Sequence, residues 1–223
     1  SPPLPPRSNI GPPSRLDLLT RQKEAHEARV TIHPCGSSVQ TRCQGTVALN
    51  VALLTISDSR TLEDDPSGDH LKRQLLDAGH HVMERAISPD DRYDIRAVVS
   101  RWIADPRVDA VITNGGTGLT GRDGTPEAVT PLLDKTIDGF GELFRVLSFQ
   151  TIGTSALQSR CLAGVANGTF VFVLPGSLDA VSTAWKQLIR AQLDGSTRPC
   201  NLAQLRARLK EPPDQRLRKE SAS

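Results

Sequence analysis

Between Val47 and Leu193 the chain alternates continuous apolar runs with stretches whose apolar residues recur every three or four positions. The first pattern suits strands buried on both faces, and the second suits helices with one buried stripe. Val47 to Ile56 therefore reads as a buried strand. Pro66 to Ala78 reads as a helix with Leu71, Leu75 and Leu76 on one face, stopped at Gly79. His80 and His81 open a second strand that runs to Ile87. Adjacent strand residues point to opposite faces, which favours exposed or core-edge roles for the two histidines over a shared metal. Ser88-Pro-Asp-Asp91 starts a helix that carries Ile95, Val98, Val99, Trp102 and Ile103 on one stripe and stops at Asp105-Pro106. Val108 to Thr113 is the third strand. Strand, helix, strand, helix, strand in that order implies right-handed crossovers and a parallel sheet. A helix from Pro126 to about Leu133 and a glycine-hinged helix opening at Asp138 follow. Ala163 to Val165 and Thr169 to Leu174 flank Asn167-Gly168, the signal of a type I′ hairpin, so an antiparallel pair joins the sheet. A last helix follows Ser177 and runs to Leu193, with Ala184, Trp185, Leu188 and Ile189 facing inward. The expected fold class is α/β, a mostly parallel sheet with one antiparallel hairpin.

Composition narrows this picture. Of the 223 residues 37% are hydrophobic, and these concentrate in one stretch, so one core is expected, in a domain spanning residues 46–201. Residues 1–45 are rich in proline and lack sustained periodicity, with only Arg15 to Val30 able to form a short polar helix; they read as a flexible N-terminal tail. Residues 202–223 carry an excess of Lys and Arg and read as a solvated basic C-terminal tail. A net charge of +2 gives no global argument for nucleic acid as a partner. No apolar run approaches the roughly 18 residues needed to cross a bilayer, and no signal-peptide pattern stands at the start, so a cytoplasmic protein without a membrane partner is expected. Cys35, Cys43, Cys161 and Cys200 are too irregular for a zinc site or disulfide framework. Cys35 and Cys43, with His33 nearby, leave metal or redox work open, and Cys161 reads as a packing residue.

The candidate chemistry gathers after the third strand. Asn114-Gly-Gly-Thr-Gly118 places Gly115, Gly116 and Gly118 where the backbone can take positive φ and a ligand can approach main-chain amides. Thr117 belongs to the same cradle, and Thr125-Pro126 reads as the cap and first position of the next helix. Arg122 could meet phosphate oxygens, and Asp123 could hold a metal. A bland tight turn is the alternative. Ser57-Asp58 and Asp90 fall at carboxyl ends of strands, on the rim where open parallel sheets gather ligands. Asp90 could equally be a plain helix cap. Pro175-Gly176-Ser177 makes a second strand-to-helix turn able to take phosphate.

Thr55-Ile-Ser-Asp58, Gly115-Gly-Thr-Gly118, Arg122-Asp123, Thr125-Pro-Glu-Ala128, Gly139-Phe-Gly-Glu142, Ser159-Arg160 and Leu174-Pro-Gly-Ser177 occur together in this order. The set resembles the family of molybdenum cofactor biosynthesis protein B and molybdopterin adenylyltransferase, over about Val47 to Asn201. The resemblance implies a three-layer α/β sandwich of the molybdopterin-binding-domain type, assembled as a homotrimer or homohexamer. It implies that molybdopterin and ATP are substrates, with Mg²⁺ as cofactor, in transfer of AMP to the terminal phosphate of molybdopterin. Other proteins of molybdenum cofactor biosynthesis are implied partners. By this likeness Ser57, Asp58, Gly115, Gly116, Thr117, Gly118, Arg122, Glu142, Pro175, Gly176 and Ser177 would bind substrate. Asp90 and Asp123 would be both the catalytic and the metal-associated carboxylates. The alternative within the family is a non-catalytic pterin-binding or scaffold protein. Asn114 and Gly124 depart from the family pattern, where Thr and a β-branched residue are common, and predict a looser loop.

Overall fold

The computed structural model describes residues 47–211. The N-terminal tail expected over residues 1–45, with Cys35 and Cys43, and the end of the chain after residue 211 lie outside them. Six strands form one sheet: β1 (Asn50–Ile56), β2 (His81–Ser88), β3 (Ala110–Asn114), β4 (Lys135–Thr136), β5 (Leu162–Ala166) and β6 (Thr169–Leu174), ordered β2-β1-β3-β6-β5-β4. Neighbours from β2 through β6 are parallel, and β5 and β4 continue antiparallel. The helices are α1 (Pro66–Asp77), α2 (Arg92–Ala104), α3 (Thr125–Val129), α4 (Asp138–Ile152), α5 (Leu178–Ala184), α6 (Arg190–Leu193) and α7 (Leu202–Leu205), with a π turn at Trp185–Ile189 joining α5 to α6.

The strand period of two divides the core. Val51 and Leu53 of β1 face a cluster with Leu71, Leu75, Phe140, Phe144, Phe172 and Trp185, while Ala52, Leu54 and Ile56 face Ile95, Val99, Trp102, Val111 and Val171. Helices α1, α4 and α5 cover one face, and α2 and α3 the other, so the molecule is the three-layer α/β sandwich expected. Asn167 (φ 48°) and Gly168 (φ 80°) both lie in the left-handed region, as the type I′ turn between β5 and β6 requires.

Some local readings shift. Leu76 faces solvent rather than the core, because α1 turns its buried stripe through Leu71 and Leu75 only. The cap of α2 is Asp91, whose carboxylate accepts from Tyr93 N (2.8 Å) and Asp94 N (3.1 Å), which leaves Asp90 outside the helix. Gly124, not Thr125, precedes α3, and Thr125 Oγ1 instead donates to Gly115 O (2.9 Å). His80 is a buried core residue whose Nδ1 accepts from Leu49 N (3.2 Å), and burial pushes its imidazole below the ordinary range. Cys161 is buried as expected, and burial raises its thiol. The folded unit also continues past the boundary expected at residue 201. Leu202, Ala203 and Leu209 pack on the core, and Arg206 pairs with the buried Asp109 (2.5 Å), so this short basic stretch holds by its apolar positions and one ion pair.

The junction of β1, β2 and α1 contains a buried polar cluster. Asp65 caps α1 through Gly68 N (2.9 Å) and accepts from Thr55 Oγ1 (2.6 Å) and Arg85 Nη2 (2.9 Å). Thr55 Oγ1 also lies 3.1 Å from Asn114 Oδ1. A hydroxyl has one proton, which the carboxylate takes, so the Asn114 contact is satisfied with the amide turned to donate. Burial would raise the Asp65 carboxyl, but the Thr55 hydroxyl, the Gly68 amide and Arg85 together hold it below its usual 3.8. Asp65 is 2% exposed and Arg85 13%; Arg85 Nη1 also pairs with the half-exposed Asp69 (2.5 Å), so removing Asp65 leaves Arg85 one partner but takes away the α1 cap and the acceptor of the Thr55 hydroxyl. Asp65→Ala is expected to cost about 2–4 kcal/mol in urea unfolding at neutral pH, from the lost cap and the lost hydrogen bonds to a buried carboxylate. Because the folded carboxyl titrates below the unfolded one, its contribution is complete above pH 3.8 and fades as pH falls through the lowered value. The gap between wild type and variant should therefore narrow in acid; a gap that stays constant down to pH 2 would contradict this assignment.

Candidate functional site

The carboxyl ends of the four parallel strands share one rim, which brings Ser57-Asp58, Asp90, the glycine loop and the Pro175-Gly176-Ser177 turn to one end of the sheet. A cleft of about 290 Å³ opens there, lined among others by Ser57, Asn114, Thr117, Asp123, Gly176 and the buried Asp65. Gly115 (φ 110°) runs so close to β1 that a Cβ would stand 2.2 Å from Ile56 O. At Gly116 (φ 62°) it would stand 2.3 Å from Thr125 Oγ1 and 2.9 Å from Asp90 Oδ1. Both positions need glycine for conformation and for space. The loop is closed by Thr125 N to Gly116 O (3.0 Å) and Gly115 N to Leu174 O (3.0 Å), which ties it to α3 and β6.

Asp58, Asp90 and Asp123 converge around this loop. Asp58 Oδ1 accepts from Asp90 N (3.1 Å), and its other oxygen meets Arg122 Nη2 (2.7 Å). Asp90 Oδ1 faces Gly124 N at 3.5 Å. Burial raises the Asp90 carboxyl; the Gly124 amide opposes this, and the charges of Asp123 and Asp58 add to it. Asp123 behaves oppositely. The Thr120 hydroxyl (2.6 Å) and amide (2.9 Å), with the Gly118 amide and Arg160, hold it below the ordinary carboxylate range against the effect of burial. The two carboxylates expected to act together thus have unlike environments, one partly dehydrated and the other anchored by donors.

A second cleft of about 390 Å³ adjoins the first, formed by Asp90, Asp91, Arg92, Tyr93, Arg122 and the backbone at Gly121 and Gly124. Asp90 and the Arg122-to-Gly124 turn stand at the boundary between the two hollows. Glu142 is not brought to either: it is exposed near the start of α4 and lines neither cleft. Ser177 caps α5 through Ala180 N (3.3 Å), so its hydroxyl first serves the helix, with Pro175 and Gly176 shaping the turn before it.

Three polar residues at the site carried no role in the sequence reading. Asp65 and Ser67 line the cleft, and Ser67 Oγ binds Gly176 O (2.8 Å) and so clips α1 to the turn after β6. Arg160 reaches under the glycine loop and binds backbone carbonyls of Thr117, Gly118 and Asp123. The available signals were Asp65-Pro66 as a helix start and Ser159-Arg160 as a motif; neither reveals a partner far along the chain.

Comparison with known proteins finds relatives of the whole domain. Residues 52–195 fit the family described as "Probable molybdopterin binding domain". Molybdenum cofactor biosynthesis protein B of Escherichia coli K12 is 54% identical over 155 residues, which cover 70% of this chain and 91% of that protein. The protein of that name from Bacillus cereus is 44% identical over 165 residues, covering 74% and 93%. A crystal structure of molybdenum cofactor biosynthesis protein B superposes with a TM-score of 0.66 at 46% identity, covering 67% of this chain and 94% of that one. A tungsten cofactor synthesizing protein from Pyrococcus furiosus gives 0.56 at 35%, covering 61% and 88%. The chain belongs to the molybdopterin-binding domain family, among the relatives named molybdenum cofactor biosynthesis protein B.

Proposed function

We propose that this protein acts in molybdenum cofactor biosynthesis by binding molybdopterin at the glycine-loop cleft and transferring AMP to its terminal phosphate from ATP. The observation that carries the reading is the placement of Asp90 beside Gly116 and of Asp123 beside Gly118 on one glycine loop, with Asp123 lining the first cleft and Asp90 the second. The first cleft suits the pterin phosphate. The second, with Arg92, Arg122 and the exposed Tyr93 ring, suits a nucleoside triphosphate.

The reaction joins a terminal phosphate oxygen of molybdopterin to the α-phosphorus of ATP while the bond to pyrophosphate breaks. A phosphate monoester is largely dianionic at neutral pH, with a second pKa of about 6, so it needs little help from a base. The obstacle is the approach of two anions, which positioning and preorganised positive potential overcome. The amides of Gly116 and Thr117 would receive the phosphate, and Arg122, exposed and paired with Asp58, would exchange that partner for the phosphate chain. Asp90 and Asp123 would hold Mg²⁺, which when bound neutralises phosphate charge. The donors fit that ion. It is held by one or two carboxylates, with phosphate and water oxygens completing its shell, and Asp90 is a partly dehydrated carboxylate beside like charges that a cation would relieve.

A non-catalytic pterin-binding role is the second reading. Purified protein with molybdopterin, ATP and Mg²⁺ separates the two, since release of pyrophosphate supports the enzyme and stoichiometric retention of pterin without release supports the binder.

Self-assembly as a trimer or dimer of trimers belongs to the same proposal. Leu143, Val146, Phe149 and Ile152 form a stripe three residues apart along α4, each more than half exposed, and Leu157 beyond them is 81% exposed. An apolar strip of this kind suits burial against further copies of the chain. Phe149→Asp is expected to lower the assembled mass in multi-angle light scattering at micromolar concentration; a wild-type protein that is already monomeric would refute the assembly.

Two substitutions probe the site. Gly116→Val is expected to abolish pterin binding in a protein that still folds, because valine resists φ 62° and its Cβ would strike Thr125 Oγ1 and Asp90 Oδ1. Near-normal affinity measured by calorimetry would contradict the cradle. Asp123→Asn keeps size and an acceptor for Thr120 but removes the charge that a hard cation needs. Turnover should fall by roughly a hundredfold, about 3 kcal/mol, with pterin affinity little changed. Unchanged pyrophosphate release would remove Asp123 from catalysis.

A further inference from the structure

The Arg160 guanidinium lies across the underside of the glycine loop. Its Nε donates to Gly118 O (2.9 Å) and Thr117 O (3.3 Å), its Nη2 donates to Asp123 O (2.8 Å), and its Nη1 binds Glu127 Oε1. One rigid planar fork thus fixes three carbonyls of a loop that has little regular structure, and a carboxylate on α3 fixes the fork. The peptide unit is planar and trans, so a carbonyl held in one direction turns the next amide the opposite way. Holding Thr117 O aims Gly118 N–H, which faces the Asp123 carboxylate. Holding Asp123 O aims Gly124 N–H, which faces Asp90 Oδ1 at 3.5 Å. The backbone of Gly118 also lies against the Asp123 carboxylate, where a Cβ would stand 2.6 Å from Oδ2.

From this we infer that Arg160 is a positioning residue of the site: acting through two peptide planes, it aims the Gly118 amide at the Asp123 carboxylate, which Thr120 also holds, and the Gly124 amide at the Asp90 carboxylate. It does not itself reach the reacting atoms. The inference builds on the adenylyl-transfer reading for its effect on turnover, but its structural half stands apart from that reading. Lysine in its place would keep the charge and could still meet Glu127, yet a single ammonium cannot span three carbonyls.

The test is Arg160→Lys, with amide hydrogen exchange read by NMR beside steady-state pyrophosphate release. Exchange at Gly118 and Gly124 should rise about tenfold or more, with the β3 amide of Ile112 unchanged as the internal control. The kcat for pyrophosphate release should fall on the order of a hundredfold, since small misplacements of catalytic groups are costly. Unchanged exchange at both glycines overturns the inference. Raised exchange with unaltered kcat overturns it too, and leaves Arg160 as a loop brace only. If the wild-type protein releases no pyrophosphate, adenylyl transfer fails as a reading, and exchange alone decides what Arg160 positions. Should the lysine variant not fold, Glu127→Gln loosens the fork while leaving its donors; a smaller rise at the same two amides is expected, and none overturns the inference.

Discussion

The close approach of backbone to backbone at the carboxyl end of the sheet is the constraint on which the site depends. Gly115 passes Ile56 with no room for a side chain, and Gly176 packs on Gly115 from the other side, where a Cβ would stand 3.2 Å from the Gly115 Cα. Three strand ends are thereby drawn together more tightly than side-chain packing allows. The hollow above them is walled by main-chain groups. Such a surface offers amides to an anion at little cost in ordering, because the strands already hold them.

Much of this was legible along the chain because it follows from local rules. Buried parallel strands announce themselves as unbroken apolar runs, and Asn167-Gly168 specifies its turn through backbone sterics alone. The position of the rim follows from the right-handed crossovers, which bring Asp58, Asp90 and the glycine loop to one end of the sheet. Caps were less secure. Asp90 and Asp91 are chemically equal candidates, and the geometry of α2 selects the second; the first then becomes free to face Gly116. Thr125 reads as a cap by its type, but its hydroxyl closes the loop onto Gly115 O, a contact ten residues back.

What stayed hidden is long-range polar pairing. Asp65 meets Arg85 twenty residues away, and Arg160 meets carbonyls about forty residues away. No periodicity encodes such partners, since a single buried charge is indistinguishable in sequence from a solvated one. Glu142 is the converse case. Its place in a family-like motif suggested the pocket, and in the single chain it is exposed on α4 and lines neither cleft.

The two departures from the family pattern have different physical weight. Asn114 is buried at the end of β3 and is tied through Thr55 to the Asp65–Arg85 pair, so an amide there extends a polar chain from the loop down to α1. The loop is anchored at that point rather than loosened. Gly124 is another matter. Its φ of −119° is open to any residue, and a Cβ there would meet only ordinary contacts, 3.7 Å from Arg122 O and 3.9 Å from the Arg92 side chain. Glycine is therefore not required by the backbone at 124, as it is at 115 and 116. What it leaves open is the floor of the second cleft, between Arg92 and Arg122, where a β-branched side chain would stand. Adding one would narrow the hollow beside Asp90 without touching the strand ends that shape the first cleft, so the two halves of the site can vary independently.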